Sequence, residues 1–297
     1  MPAIAFERLT KHYGEVTALD GLTAQVVPGR ITAFLGANGS GKTTSMRLLL
    51  GLSEPDAGRA TIDGERYVEL TYPTRRVGAL LDQGFHPNRS ARNHLRIVAA
   101  QAAMPAERVE EVLDLVDLLP AAHRRVGGYS LGMRQRLALA SALVGDPEVL
   151  VLDEPFNGLD PAGIATMRSF LRSFAERGGT VFLSSHLLAE VAHSADDAIV
   201  IHRGRLVSAG PVAELSTAEA GLVVTTEDVD LLAVTLARRG ASVARTGPDT
   251  LSVTGVDRLL LGRAALEVGA VVTDLHAVAD DLESVFADLI HRQEATS

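Results

Sequence analysis

The chain has 297 residues, a net charge of −9 and no cysteine, and 46% of its residues are hydrophobic. This length predicts two domains with a sizeable core. The acidic balance, without a polybasic block, disfavours non-specific nucleic-acid binding, which needs a cationic face. The lack of cysteine excludes disulfides and thiolate metal sites and is compatible with the cytoplasm. No apolar signal core opens the sequence and no apolar run approaches about 18 residues, so we expect no segment that crosses a membrane alone.

The first predicted elements surround a glycine-rich segment. Residues 2–9 alternate apolar and polar as a strand does, 31–35 form a β-leaning run, and a helix follows the glycines. Residues 90–145 are predicted to be mostly helical, with one helix over 106–119 and another after Gly132.

Three later segments are apolar throughout, at 149–152, 180–184 and 198–202. Strands of this kind are buried on both faces. They therefore favour an α/β fold in which a largely parallel sheet lies between helices.

The pattern changes near residue 217, which divides the chain into a first domain over 1–217 and a small second domain over 218–297. The second domain has the order βαββαβ followed by one more helix, which predicts a split-βαβ fold. Its strands are expected at 221–225, 242–245, 251–254 and 270–273, and its helices at about 228–239, 257–267 and 280–290.

A phosphate-binding loop is the strongest chemical signal, because residues 36–43 fit the pattern G-x-x-x-x-G-K-[ST] between a strand and a helix. Glycines let backbone N–H groups surround an anion, and the following helix points its positive end at the same place. Lys42 adds a mobile charge for the β- and γ-phosphates, and the Thr43 hydroxyl is expected to bind Mg²⁺. The residues predicted to hold the nucleotide phosphates are Gly36, Ala37, Asn38, Gly39, Ser40, Gly41, Lys42, Thr43 and Thr44.

Two further signals lie between residues 129 and 154. Asp153, at the end of an apolar strand, is placed to bind Mg²⁺ through water, and Glu154 is placed to polarise an attacking water. A solvated acidic turn is the alternative, which the upstream phosphate loop disfavours.

Ser130 and Gly132 open a helix, where a hydroxyl and free N–H groups form a second anion-binding end. Taken alone, Ser130 would be an ordinary helix N-cap.

Residues 1 to about 217 resemble the ATP-binding subunit of an ABC transporter. The motif order matches: phosphate loop at 36–43, signature at 129–133, acidic strand at 149–154, then Asp160 in Asn-Gly-Leu-Asp and His186 in Ser-Ser-His. The resemblance implies a P-loop NTPase with a mostly parallel core sheet, an N-terminal antiparallel β region and a helical subdomain over about 84–145. It also implies ATP and Mg²⁺ as cofactors.

The same resemblance implies roles for single residues. Tyr13 matches the aromatic residue that stacks on adenine, worth roughly 1–3 kcal/mol by analogy with base stacking. His186 matches the residue that contacts the γ-phosphate. The resemblance also implies that two subunits pack head to tail, so that each ATP lies between Lys42 of one chain and Ser130 of the other. Asp160 matches the residue that contacts the partner's phosphate loop. Whether the dimer is a homodimer or includes a different ATPase subunit stays open.

Two motifs depart from the family's usual residues. The signature reads Tyr-Ser-Leu-Gly-Met instead of Leu-Ser-Gly-Gly-Gln, so we expect no positive φ at Leu131. In the coupling loop, Asp82 stands where the family has Gln, and Gln83 follows it. Either side chain could approach the metal; we assign Asp82.

These departures, with Asp-Asp-Leu-Glu-Ser-Val-Phe-Ala-Asp-Leu near the C-terminus, resemble the antibiotic, drug and sodium exporter ATPases of the daunorubicin- and bacitracin-resistance type. This implies ATP hydrolysis coupled to export of a drug, antibiotic or other small molecule through a separately encoded permease, which docks near Phe85, His86 and Pro87. It further implies a cytoplasmic protein that reaches the membrane only through the permease and binds no nucleic acid. The open alternatives are an importer ATPase and an ABC ATPase without a transporter. No motif in this chain identifies the cargo, because the translocation path lies in the permease, and no motif assigns a role to the second domain.

Overall fold

The computed structural model describes residues 3–81, 84–185, 194–217 and 221–277. The chain forms two compact units, Met1–Pro211 and Val212–Ser297. The sequence placed the change near residue 217. That boundary stays a prediction; in the structure the short helix Val212–Thr217 is grouped with the second unit.

The first unit combines two sheets with helices. Its strands are β1 (Ile4–Tyr13), β2 (Val16–Val26), β3 (Ile31–Leu35), β4 (Ala57–Ile62), β5 (Val77–Leu80), β6 (Val149–Leu152), β7 (Thr180–Ser185), β8 (Asp197–His202) and β9 (Arg205–Pro211). Its described helices are α1 (Lys42–Leu49), α2 (Pro73–Arg76), α3 (Ala91–Gln101), α4 (Glu107–Leu115), α5 (Leu131–Leu143) and α6 (Pro161–Glu176). An antiparallel sheet has the order β2-β1-β4, and the core sheet has the order β5-β6-β7-β3-β8-β9.

The core sheet is parallel apart from the pairing of β9 with β8. Every residue of β3, β6 and β7 is buried, as expected for apolar strands in the middle of such a sheet. Parallel pairing aligns Leu35 with Ser185 and Leu152 with Leu183. The carboxyl ends of β3, β6 and β7 therefore lie at the same edge of the sheet.

Three phenylalanines belong to the hydrophobic core that joins the two sheets. Phe34 on β3 lies 5.1 Å from Phe182 on β7, and Phe6 on β1 lies 5.8 Å from Phe182 and 6.3 Å from Phe34, measured between ring centroids. All three side chains are fully buried. The antiparallel sheet is thus packed against the core sheet that carries the phosphate loop.

Helices α3, α4 and α5 lie between β5 and β6 in the chain and form the predicted helical subdomain. Ser90 caps α3 by accepting a hydrogen bond from the Asn93 N–H. The helix expected over 106–119 ends earlier, at Leu115. It stops there because Asp117 has a φ of 53°, after which Leu119–Ala121 forms a separate 3₁₀ turn.

The second unit is a small α+β fold. Its described elements are α7 (Val212–Thr217), β10 (Leu222–Thr226), α8 (Val229–Arg238), β11 (Ser242–Arg245), β12 (Thr250–Thr254), α9 (Arg258–Val268) and β13 (Val272–Ala277). An antiparallel sheet of order β11-β12-β10-β13 packs its apolar residues with those of α8 and α9. The expected helix at 280–290 lies outside the described residues.

The predicted fold class is confirmed, with a parallel core sheet, an N-terminal antiparallel region and a small α+β unit. Within the described part of the chain, no helix is both long enough and apolar enough to span a bilayer.

Candidate functional site

The phosphate loop connects β3 to α1, and its glycines are required by backbone geometry. Gly39 and Gly41 have φ of 81° and 110°, which side-chain-bearing residues rarely adopt. A Cβ at Gly36 would lie 2.7 Å from the carbonyl oxygen of Ile201, and one at Gly41 would lie 2.7 Å from that of Ala18. The tight turn of the predicted loop therefore depends on these glycines.

Lys42 places its charge inside this loop. Its ammonium donates hydrogen bonds to the carbonyl oxygens of Gly36, at 2.6 Å, and Ala37, at 3.3 Å, and the residue is only 6% exposed. Burial lowers the pKa of Lys42, while the carboxylates of Glu154 and Asp153 act in the opposite direction. The loop thus holds a poorly solvated ammonium group close to two carboxylates, and this positive charge can attract a phosphate.

Thr43 and Asp153 meet at the expected metal position. The Thr43 hydroxyl donates to Asp153 Oδ2 at 2.7 Å, so a hydroxyl and a carboxylate oxygen lie side by side. Mg²⁺ prefers such oxygen ligands and usually takes few from protein, completing its shell with water and phosphate. The described residues contain no group of three or more His, Cys, Asp or Glu that could hold a metal. The buried Ser40 hydroxyl, which has no hydrogen-bond partner among the described residues, adds a donor within the loop. The residues present fit Mg²⁺ and a phosphate chain.

Glu154 follows Asp153 in an unusual backbone conformation, with a φ of 50°. Its N–H donates to the Ser184 hydroxyl at 2.9 Å, and the same hydroxyl donates to Asp153 Oδ1. Ser184 therefore fixes both acids, a role that the motif reading missed. A signal existed, because β6 and β7 pair in parallel and Leu152 lies opposite Leu183, which brings the next residues of both strands together.

The signature and the loop over 157–160 form a second group. Ser130 caps α5 by accepting from the Met133 N–H at 3.2 Å, and Asp160 caps α6 by accepting from the Gly163 N–H at 2.9 Å. Leu131 has no positive φ, as expected, and begins α5. Both caps line one cavity of about 750 Å³. The N-cap reading of Ser130 is thus correct, and a cap at a helix N-terminus can still donate its hydroxyl proton to an anion.

The structure brings Lys42, Thr43, Asp153 and Glu154 together and groups Ser130 and Gly132 with Asp160. Tyr13 lies at the end of β1, 49% exposed, with the Lys11 ammonium 5.5 Å from its ring centroid. Its exposed ring is compatible with stacking. Three predicted or alternative positions lie outside the described residues: Asp82, Gln83 and His186.

A basic surface lies beside the segment that opens the helical subdomain. His86, Asn88 and His123 line a shallow pocket of about 610 Å³ together with several arginines. Arg89, Arg96 and Arg125, which we call the arginine cluster, have no ion pair within the described residues, whereas the neighbouring Arg92 pairs with Glu110. The cluster concentrates positive charge on a chain that is acidic overall.

His94 lies behind this surface, with its ring edge-on to Phe85 and its Nε2 3.2 Å from the Ser141 hydroxyl oxygen. Burial, and secondarily the charge of Arg89, lower the pKa of His94 below its ordinary value of 6.5. As the pH falls through about 6.5, the unfolded chain therefore binds a proton that the folded chain binds only at lower pH.

We expect the free energy of unfolding of the first unit to fall between pH 8 and pH 5.5, and a His94→Gln variant to lose part of this dependence. Urea unfolding at both pH values measures the difference. The exposed His123→Gln variant is the control and should keep the wild-type pH dependence. If the free energy of unfolding of His94→Gln changes with pH as much as that of the wild type, the lowered pKa of His94 is not the cause of the pH dependence.

Comparisons with known proteins agree on one family. Residues 19–157 match the model of the ABC transporter family. The chain is 44% identical over 207 residues to the bacitracin transport ATP-binding protein BcrA of Bacillus licheniformis, covering 68% of each chain. It is 35% identical to the daunorubicin resistance ATP-binding protein DrrA3 of Streptomyces coeruleorubidus, covering 97% of this chain and 95% of the relative. A solved ATP-binding subunit of an ABC transporter matches with a TM-score of 0.66 at 25% identity, covering 72% of this chain and 92% of that one.

Proposed function

Because this chain belongs to the ABC transporter family of ATP-binding proteins, we propose that it hydrolyses ATP to drive export of a drug or antibiotic through a separately encoded permease. The observation that carries the proposal is the hydrogen-bonded group of Thr43, Asp153, Ser184 and Glu154, next to the Lys42 ammonium. The relatives named for bacitracin transport and daunorubicin resistance support export of this kind of cargo.

The residues divide the chemistry of hydrolysis among them. Lys42 and the backbone of 36–44 hold the phosphates. Thr43 and Asp153 would hold Mg²⁺, which would supply positive charge to stabilise the phosphates during hydrolysis. Glu154 orients the attacking water and accepts its proton. His186 and Asp82 keep their predicted roles at the γ-phosphate and in the coupling loop.

Two subunits are proposed to enclose two Mg·ATP, each between the phosphate loop of one copy and the signature of the other. The position of Ser130 and Gly132 at an exposed helix N-terminus supports this, because free N–H groups and the helix dipole there favour an anion. Asp160, at the start of α6, is proposed to contact the partner's phosphate loop. A dimer with two-fold symmetry gives both sites the same composition.

The permease is proposed to dock on the helical subdomain near Phe85, His86 and Pro87, and the arginine cluster supports an acidic contact from it. Charge complementarity speeds association and sets orientation more than it adds affinity. Through this contact the subunit would lie at the cytoplasmic face of the membrane.

The test is transport in inside-out vesicles that hold the permease encoded beside this gene. Wild-type protein with Mg·ATP should accumulate drug inside the vesicles, and an Arg89→Glu/Arg96→Glu variant should hydrolyse ATP alone at the wild-type rate but lose stimulation by the permease. An Arg59→Glu variant, altered on the antiparallel sheet, is the charge control. Movement of cargo out of these vesicles would indicate an importer. Failure of the wild-type protein to bind any such permease would indicate an ABC ATPase without a transporter.

A further inference from the structure

Gln135 is a buried polar residue whose contacts are not explained by the proposed nucleotide-binding roles. It lies in α5, five residues after Ser130, and is 2% exposed. Its side-chain amide donates to the Pro155 carbonyl oxygen at 2.9 Å and to the Glu154 carbonyl oxygen at 3.3 Å. A side chain of the signature helix thus holds the backbone of the segment that carries the proposed water-activating acid.

Glu154 needs such support because its backbone is strained. A φ of 50° is uncommon for a residue with a side chain and persists only where the surroundings impose it. Ser184 binds its N–H, while Gln135 and the Asn157 N–H bind its carbonyl oxygen. The direction of the Glu154 side chain is therefore set partly by a residue of α5.

The start of α5 also contacts the far end of this segment. A Cβ added at Gly158 would lie within 2.4 Å of two Leu131 side-chain atoms, so the Leu131 side chain covers Gly158 directly. Gly132 approaches the Gly158 carbonyl oxygen from the same turn. The first two turns of α5 therefore contact the segment 154–158 at both of its ends.

We propose that Gln135 is a positioning residue that links the signature helix to Glu154 of the same subunit. Gln135 lies about 7.5 Å along the helix axis from Ser130, at about 1.5 Å per residue. A shift of α5 when Ser130 meets the partner's phosphate moves the Gln135 amide, and with it the backbone of Glu154. Nucleotide bound at one site of the dimer thereby aligns the acid of the other site. This inference rests on the proposed role of Glu154.

The first variant to test is Gln135→Met, which keeps the volume of the side chain and removes both donated hydrogen bonds. We expect kcat for ATP to fall roughly 10- to 100-fold, the loss typical of a misplaced catalytic group, with KM and the affinity for a non-hydrolysable ATP analogue unchanged. In a Glu154→Gln background the same substitution should cause no further loss of turnover, because the acid that it positions is already absent. Ser141→Ala, also in α5 but bonded to Leu137 and His94, is the control and should keep kcat.

The second variant, Gln135→Glu, tests hydrogen-bond donation independently of folding. A carboxylate cannot donate a hydrogen bond to a carbonyl oxygen. A protonated carboxyl donates one, which would restore one of the two bonds of Gln135, and burial raises the pKa of a carboxyl. Its kcat relative to wild type should therefore rise as the pH is lowered from 8.5 to 6. The proposal is overturned if the ratio of the Gln135→Glu kcat to the wild-type kcat does not change with pH. It is also overturned if Gln135→Met keeps the wild-type kcat, or if its affinity for nucleotide falls as much as its kcat. If Glu154→Gln itself retains turnover, the assignment of the acid fails first, so the two failures are distinguishable.

Discussion

Glu154→Gln is expected to reduce ATP turnover by at least about 100-fold while nucleotide binding persists. The amide has the same shape and cannot accept the proton of the attacking water, and general base catalysis contributes about 10²–10⁴-fold to rate. The backbone bonds of Glu154 to Ser184 and Gln135 do not involve the carboxylate, so the local fold should be kept. With Mg·ATP, the variant should accumulate as a dimer, detected by light scattering, because hydrolysis no longer separates the subunits.

Glu148 provides a matched control for this experiment. It lies immediately before β6, at the opposite end from Glu154, and its exposed side chain pairs with Arg76. Glu148→Gln makes the same chemical change at the other end of β6 and should leave turnover near the wild-type rate. Normal hydrolysis by Glu154→Gln would refute the base assignment, and a strictly monomeric variant with ATP bound would refute the shared sites.

Lys42→Ala is expected to weaken ATP binding by about 2–3 kcal/mol, or roughly 30- to 150-fold. One pair of unit charges at about 4 Å contributes about 4 kcal/mol at an effective dielectric of about 20, and desolvation of the ammonium reduces this gain. The neighbouring carboxylates of Asp153 and Glu154 enlarge the effect, because without the lysine they repel the phosphates. Titration calorimetry with Mg and a non-hydrolysable ATP analogue measures the affinity directly.

Arg59→Ala removes a positive charge on β4, outside the phosphate loop, at an exposed site where Arg59 pairs with Glu7, and serves as the control. Its affinity for the analogue should equal that of the wild type. The salt dependence of binding should also be smaller in Lys42→Ala, since one charge contact is lost. An unchanged affinity in Lys42→Ala would contradict the phosphate-loop role.

The phosphate loop and the core strands could be predicted because their signals are local. The need for glycine at positions 39 and 41 follows from backbone φ, and apolar runs such as β3 and β6 can be buried only inside a sheet. The second unit was also predictable in outline, because its strands and helices alternate with short turns. The helix over 106–119 was predicted too long, since residue type does not show the positive φ of Asp117.

Contacts between distant segments were not predictable in this way. Ser184 looks like the end of a strand until β6 and β7 are paired, and Gln135 looks like an ordinary polar residue of a helix. Leu131 could be identified as a departure from the family pattern, but its packing against Gly158 required the folded chain.

The sequence by itself identified the family, through the order of its motifs, and predicted the chemistry proposed for this protein: a lysine in a glycine loop for phosphate, and a hydroxyl and two acids for the metal and the water. Such signals are short-range, because each depends on residue types within a few positions of one another. The tertiary structure alone decided how the acid is held, through a serine from the next strand and a glutamine from the signature helix. These partners are 30 and 19 residues away in the chain and meet Glu154 only when the sheet and the helical subdomain assemble around it.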